Sequence, residues 1–160
     1  MAVAIPGIST LGVIFSYGIE TTSGTKPTTF TQLPRCNDIS EITLETETID
    51  ASALEDMQSR YIAGRQDTGG NWDVTFNLTN ETIPILETML EESSTGLASN
   101  LRTWFQVSSP NMEKAFFVVG QPGTKIPLPA MAQNELLTGA ISIAIDEYVG
   151  LDTKVEPTEE

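Results

Sequence analysis

The chain has 160 residues, 39% of them hydrophobic and 19% charged, which suits one globular domain with a core of its own and excludes a fully disordered chain. Eight basic against 22 acidic residues give a net charge of −14, so free double-stranded nucleic acid and anionic membranes are repelled. There is no histidine and only Cys36, which removes Ser/His and Cys/His nucleophile systems, an intrachain disulfide and the usual zinc ligand sets.

Met1 to Gly7 carry no basic residue and no long apolar run, unlike a secretory signal. Residues 1–10 lack periodicity and read as an arm. From Leu11, the residues Leu11, Val13, Phe15, Tyr17 and Ile19 share one parity and predict a strand with one buried face. Residues 21–37, rich in Thr, Gly and Pro, read as a loop. Glu41, Thr43, Glu45 and Glu47 alternate with Ile42 and Leu44, a second strand that is acidic on one side. Residues 51–72 form a long loop, a length usually reserved for functional or disordered segments. Asp73, Thr75 and Asn77 alternate with Val74, Phe76 and Leu78 in a third strand.

Thr82, Pro84 and the face Ile83, Leu86, Met89 and Leu90 predict a helix that Ser93-Ser94-Thr95-Gly96 ends. Strands follow at 103–107 and 115–119 around the turn Ser109-Pro110-Asn111, then a Pro-rich connection at 121–134. A last strand carries Ile141, Ile143 and Ile145. The acidic tail, 150–160, reads as disordered, and 1–149 as a single domain. The expected fold is mainly β: a β-sandwich or partial barrel of about six strands with one flanking helix.

If the second and third strands pair across the long loop, Glu41, Thr43, Glu45 and Glu47 share a face with Asp73, Thr75 and Asn77. Such a face is either the wet side of an ordinary sheet or the lining of an aqueous channel between subunits. In a channel, an acidic wall would let a phosphate backbone slide without sticking. Acidic pairs such as Glu45/Glu47, Glu55/Asp56 and Glu91/Glu92 lack the aromatic surroundings of a glycosidase site. The run Asp67 to Asp73 lacks EF-hand spacing. Trp72 and Trp104 read as core or interface aromatics, and Cys36 as an inert side chain. No catalytic residue, metal site or cofactor is expected.

The run Glu41 to Asp56, with Ile49-Asp50-Ala51-Ser52-Ala53-Leu54-Glu55-Asp56 at its end, resembles major tail tube proteins of long non-contractile-tailed (siphovirus-type) bacteriophages. Tyr61 to Gly70, Asn71 to Leu78, the helix at 83–92 and the Gly12 to Gly24 segment continue the resemblance. It implies a virion structural protein: hexameric rings of copies of itself, stacked into a tail tube that conducts DNA at genome ejection without binding it specifically. It also implies tip or initiator, terminator and tape measure proteins as partners, assembly in the host bacterial cytoplasm and no membrane. By that analogy residues 1–10 and 51–72 reach the neighbouring ring, with Leu54, Asp56, Arg60, Arg65 and Asp67 as inter-ring candidates. Glu41, Thr43, Glu45, Glu47, Asp73, Thr75 and Asn77 are the lumen candidates. Two alternatives stand beside it: a tube protein of a contractile tail or type VI secretion-like system, and a monomeric β-barrel carrier of small ligands.

Overall fold

The computed structural model describes residues 6–158. Among them are nine strands and one helix: β1 (Ile14–Ile19), β2 (Thr31–Leu33), β3 (Cys36–Ile39), β4 (Glu45–Asp50), β5 (Tyr61–Asp67), β6 (Asn71–Asn77), α1 (Thr82–Ala98), β7 (Thr103–Ser108), β8 (Lys114–Pro122) and β9 (Thr138–Thr153). The mainly β class with one helix is as the sequence predicts, with nine strands in place of about six.

Seven strands form one antiparallel sheet in the order β2-β1-β7-β8-β9-β6-β3. Its two edges, β2 and β3, are consecutive in the chain and separated only by Pro34 and Arg35. A link this short spans roughly 11 Å at most. The sheet therefore curls until its edges meet, giving a sandwich-like wrap that does not close into a barrel. Arg35, at φ 61, makes the left-handed corner.

Inside the wrap lie Phe15, Tyr17, Leu33, Trp72, Val74, Phe76, Phe105, Val118, Ile141 and Ile143. The Phe15 ring sits 5.6 Å from Trp72, 5.7 Å from Phe76 and 5.6 Å from Phe105, centroid to centroid. β1 and β6 are not neighbours in the sheet, so the contacts with Trp72 and Phe76 cross the interior, while Phe105 lies on β7 beside β1. A second layer lies on the other side of β7 and β8, where Phe30, Trp104, Ala115, Phe117 and Val119 pack with Val149 and Val155. Both tryptophans are thus core residues.

The second layer corrects the expectation that β1 buries one face. Ser16 and Gly18 are buried as well, and the strand begins at Ile14, leaving Leu11 exposed. A Cβ on Gly18 would stand 2.6 Å from the Thr29 carbonyl oxygen, so the 20–30 segment can close over β1 only at a glycine. Gly120 plays the same part where β8 bulges against β9: a Cβ there would stand 2.6 Å from Ile143 Cγ2 and 2.7 Å from the Ala144 carbonyl oxygen.

Helix α1 packs Leu86, Met89 and Leu90 into the interior. Its cap is Thr79 rather than Thr82: Thr79 Oγ1 accepts the Thr82 and Glu81 N–H groups at 3.1 and 3.2 Å. Thr82 is buried, its hydroxyl donating to the Asn77 carbonyl at 2.9 Å. The helix runs past the expected stop to Ala98, because Ser93 and Gly96 are small residues for close packing rather than breakers. A Cβ on Gly96 would meet Ile19 Cγ2 at 3.1 Å. Asn100, at φ 62, ends the helix. Its N–H donates to the Leu97 carbonyl and the Leu101 N–H to the Gly96 carbonyl, the pair of bonds of a Schellman motif.

Four further expectations change. The loop at 21–37 contains β2 and the start of β3, too short to display a period. The Pro-rich connection is 123–137, since β8 extends to Pro122. β9 is 16 residues long and extends well past Ile141–Ile145, and the tail from Gly150 is ordered through Thr158, held by hydrogen bonds to β2 and β7. Of the arm, residues 1–5 lie outside the described residues, and 6–10 form no regular element.

Cys36 is half-buried at the start of β3. Burial, and then the neighbouring Asp38 charge, push its thiol up to about 12. An unperturbed thiol is near 8.5, so at pH 8 the folded chain should present roughly a thousandfold less thiolate. Reaction with a disulfide reagent at pH 8 is expected to be correspondingly slow in buffer and to become fast in urea.

Candidate functional site

The segment the sequence singles out, residues 41–77, does not fold as a strand, a loop and a strand. β4 pairs with β5, not with β6, and the two make a separate antiparallel hairpin. β6 lies between β3 and β9 in the large sheet. The proposed common face of Glu41, Thr43, Glu45 and Glu47 with Asp73, Thr75 and Asn77 is therefore not formed within the chain.

The reason is visible in the burial of each strand. β6 alternates, with Trp72, Val74 and Phe76 inside. All of β4 is exposed, and so is β5 except for a half-buried Gly64. With neither face committed to a core, the alternation of Ile42 and Leu44 ends before the strand begins. Glu41 and Thr43 lie in the irregular link from β3 to β4, Glu45 and Glu47 on β4. The 51–72 loop shrinks to 51–60, because Tyr61–Asp67 is β5. Leu54, Asp56 and Arg60 remain in the loop, while Arg65 and Asp67 are strand residues.

The hairpin is well defined along its length. Its register shifts between Thr46 and Thr48, where Gly64 and Arg65 together oppose Glu47. At the tip, the Ala51 N–H donates to the Arg60 carbonyl at 2.8 Å and the Arg60 N–H to Ser52 Oγ at 2.8 Å. The Ala53 N–H donates to Asp56 Oδ2 at 2.7 Å, and Arg60 Nε lies 3.4 Å from Asp56 Oδ1. Hydrogen bonds from Ser52, side chain and then backbone, hold the Asp50 carboxyl below the usual carboxylate range. Arg60 thus has a partner within its own loop.

What this arm lacks is a core. Leu54 and Met57 are fully exposed, at 108% and 99%, and Leu44, Ile49, Tyr61 and Ile62 are more than 40% exposed. A two-stranded ribbon is marginal by itself in water. Glu45 stands directly opposite Asp67, a like-charge pair that opposes the pairing further. The arrangement combines free strand edges, apolar side chains and an ordered tip, all of which a second protein surface can cover. The 123–137 connection adds exposed Leu128, Met131, Leu136 and Leu137.

The other half of the predicted face stays together. Asp73, Thr75 and Asn77 point out of the wrap beside their register partners Ser142, Ala140 and Thr138 on β9. The result is a polar surface of short side chains, with no Lys or Arg anywhere in β6 or β9. Sequence reading finds the β6 half of this wall. It misses the β9 half, whose Thr, Ala and Ser carry no charge signal. Among the described residues no cluster of His, Cys, Asp and Glu could hold a metal ion. Among the same residues no helix is long and apolar enough to cross a membrane.

No protein-family model matches the chain, and no curated protein matches it. Among solved structures it is similar to a chain in the cryo-EM structure of the anti-feeding prophage (AFP) baseplate, 6-fold symmetrised. The TM-score is 0.52, with 10% identity over 91% of this chain and 95% of that one. The chain shares its fold with a prophage baseplate component. The likeness runs over nearly the full length of both chains.

Proposed function

We propose that this protein is a structural subunit of a phage-type tail, a non-enzymatic chain that builds rings and tubes from copies of itself. The observation that carries the reading is the β4–β5 hairpin. It projects from a domain that is complete without it, and with the adjoining Leu44 it leaves six large apolar side chains to solvent. Neighbouring copies supply the missing cover. The fold shared with a chain of a 6-fold symmetrised baseplate supports a particle-associated role, and the tail tube resemblance of residues 41–78 supports stacked hexameric rings. Tip or initiator, terminator and tape measure proteins are the further partners of such a tube. In a ring, the β6–β9 outer face, with Asp73, Thr75 and Asn77, is the natural bore wall, since neither strand contributes a Lys or Arg to retain a phosphate backbone. Glu45 and Glu47 belong to the hairpin and its contacts.

A second reading, a tube or end-of-tube ring of a contractile tail or type VI-like system, is favoured by the baseplate origin of the similar chain. A monomeric carrier is disfavoured by the wrap's interior, filled by Phe15, Trp72, Phe76 and Phe105.

Negative-stain microscopy and sedimentation velocity over rising protein concentration test the proposal. Subunits that each carry −14 repel, and raising ionic strength from about 0.01 to about 1 M shortens the screening length from about 30 to about 3 Å. Rings or tubes are expected, at lower protein concentration in high salt. A chain that stays monomeric throughout, alone and with tail-initiation components, rules the reading out.

A further inference from the structure

The acidic tail is docked in a way that composition gives no hint of. After β9 ends at Thr153, the backbone of Val155 meets Gln106 of β7, a side chain with no solvent exposure. Gln106 Nε2 donates to the Val155 carbonyl at 2.7 Å, and its Oε1 accepts the Val155 N–H at 2.9 Å. A side-chain amide thus grips one residue as a strand partner would. Ser16 Oγ, 3.2 Å from the same Nε2, fixes the amide's orientation. Val155 itself packs on the layer of Phe30, Trp104 and Phe117. Lys154 Nζ donates to the Ser109 carbonyl at 3.1 Å.

Three residues later the tail reaches the sheet edge. The Thr158 N–H donates to the Phe30 carbonyl at 2.8 Å, and the Gln32 N–H donates to the Thr158 carbonyl at 2.8 Å, a parallel bridge between Thr31 and Thr158. β2 pairs with β1 on its other side, so these bonds fall on the edge that the sheet leaves open.

We propose that residues 154–158 are a guard held in cis over a strand-accepting slot. The slot consists of the β2 edge, the Gln106 amide and the apolar layer beneath. With the guard displaced, the β2 edge pairs with the same edge of a second copy. An open edge invites such pairing, and a covering segment is one way proteins prevent it. The tether makes the guard effective: a segment joined directly to Thr153 acts at an effective concentration of order millimolar, far above micromolar protein. The inference stands apart from tube formation, which the hairpin carries.

The test compares the full chain with a chain ending at Thr153, and with the variant Thr158→Pro. The last removes the N–H donated to Phe30 and leaves the Gln106 grip in place. Light scattering and sedimentation are run in low salt, below the concentration at which the full chain assembles. The truncated chain is expected to associate at a concentration at least about tenfold lower than the full chain, with Thr158→Pro in between. A synthetic peptide of residues 154–160, at about millimolar concentration, should return the truncated chain to monomer. A truncated chain that stays folded by circular dichroism yet matches the full chain in association overturns the guard. If truncation prevents folding, Thr158→Pro decides alone, and an unchanged association profile for it overturns the proposal equally.

Discussion

Replacing Leu54 and Met57 together by Asp is expected to abolish assembly and leave the subunit folded. Both side chains are fully exposed, so nothing in the folded chain depends on their apolar surface. Surface changes of this kind usually move stability by no more than about 0.5 kcal/mol. In an assembly that covers the hairpin, each side chain would contribute roughly 2 kcal/mol on burial. Losing both costs about 4 kcal/mol, near a thousandfold in association, before the two added charges are counted. Sedimentation velocity should then find only monomer where the unchanged protein forms rings, with identical melting curves. Replacement by Gln at both positions removes apolar area without adding charge and should weaken assembly less. Rings of unchanged size and threshold from the Asp variant would remove the hairpin tip from every contact surface.

The longer elements that bury at least one face were legible in the sequence, and those that bury none were not. β6 announces itself because Trp72, Val74 and Phe76 enter the core at every second position. The β7–β8 pair is equally plain, and so is the α1 face of Leu86, Met89 and Leu90. β5 has no such period: Tyr61, Ile62, Ala63 and Gly64 form a short run followed by Arg65, Gln66 and Asp67, all but Gly64 exposed. Its pairing with β4 is a backbone ladder outside any core, and side-chain pattern cannot report it. The lumen candidates divided for the same reason. Residues 41–47 carry alternating charge, but the strand they announce begins only at Glu45 and faces no core. The docked tail was hidden differently: a single buried glutamine, remote in sequence, determines where Val155 lies.

Nothing in the sequence around Glu20 signals the structural part that this residue plays. Its side chain is wholly buried at the end of β1, a costly place for a carboxylate. It is satisfied by the Trp104 indole N–H at 2.9 Å, the Arg102 backbone N–H at 2.8 Å and the Arg102 guanidinium at 3.3 Å. Arg102 in turn reaches Asp146 at 3.2 Å and Glu147 at 3.1 Å, tying β1 and β7 to β9. Burial pushes the Glu20 carboxyl up, but the bonds from Trp104, Arg102 and Gly24 outweigh it and hold the group below its ordinary range. Glu20→Ala leaves the Trp104 and Arg102 N–H groups buried without an acceptor, at about 1–3 kcal/mol each. Arg102 keeps two other carboxylates, so the ion pair adds little. A loss of about 3 kcal/mol, some 10 °C in Tm, is expected in thermal unfolding at pH 7, followed by tryptophan emission. Because the folded-state pKa is depressed, the ionised group's stabilisation is complete above the ordinary glutamate range and fades as pH falls through the lower folded value. The stability gap between the native chain and Glu20→Gln should therefore narrow on acidification. A gap that is constant from pH 7 to pH 3 would mean that the carboxylate's charge has no part in holding the three strands together.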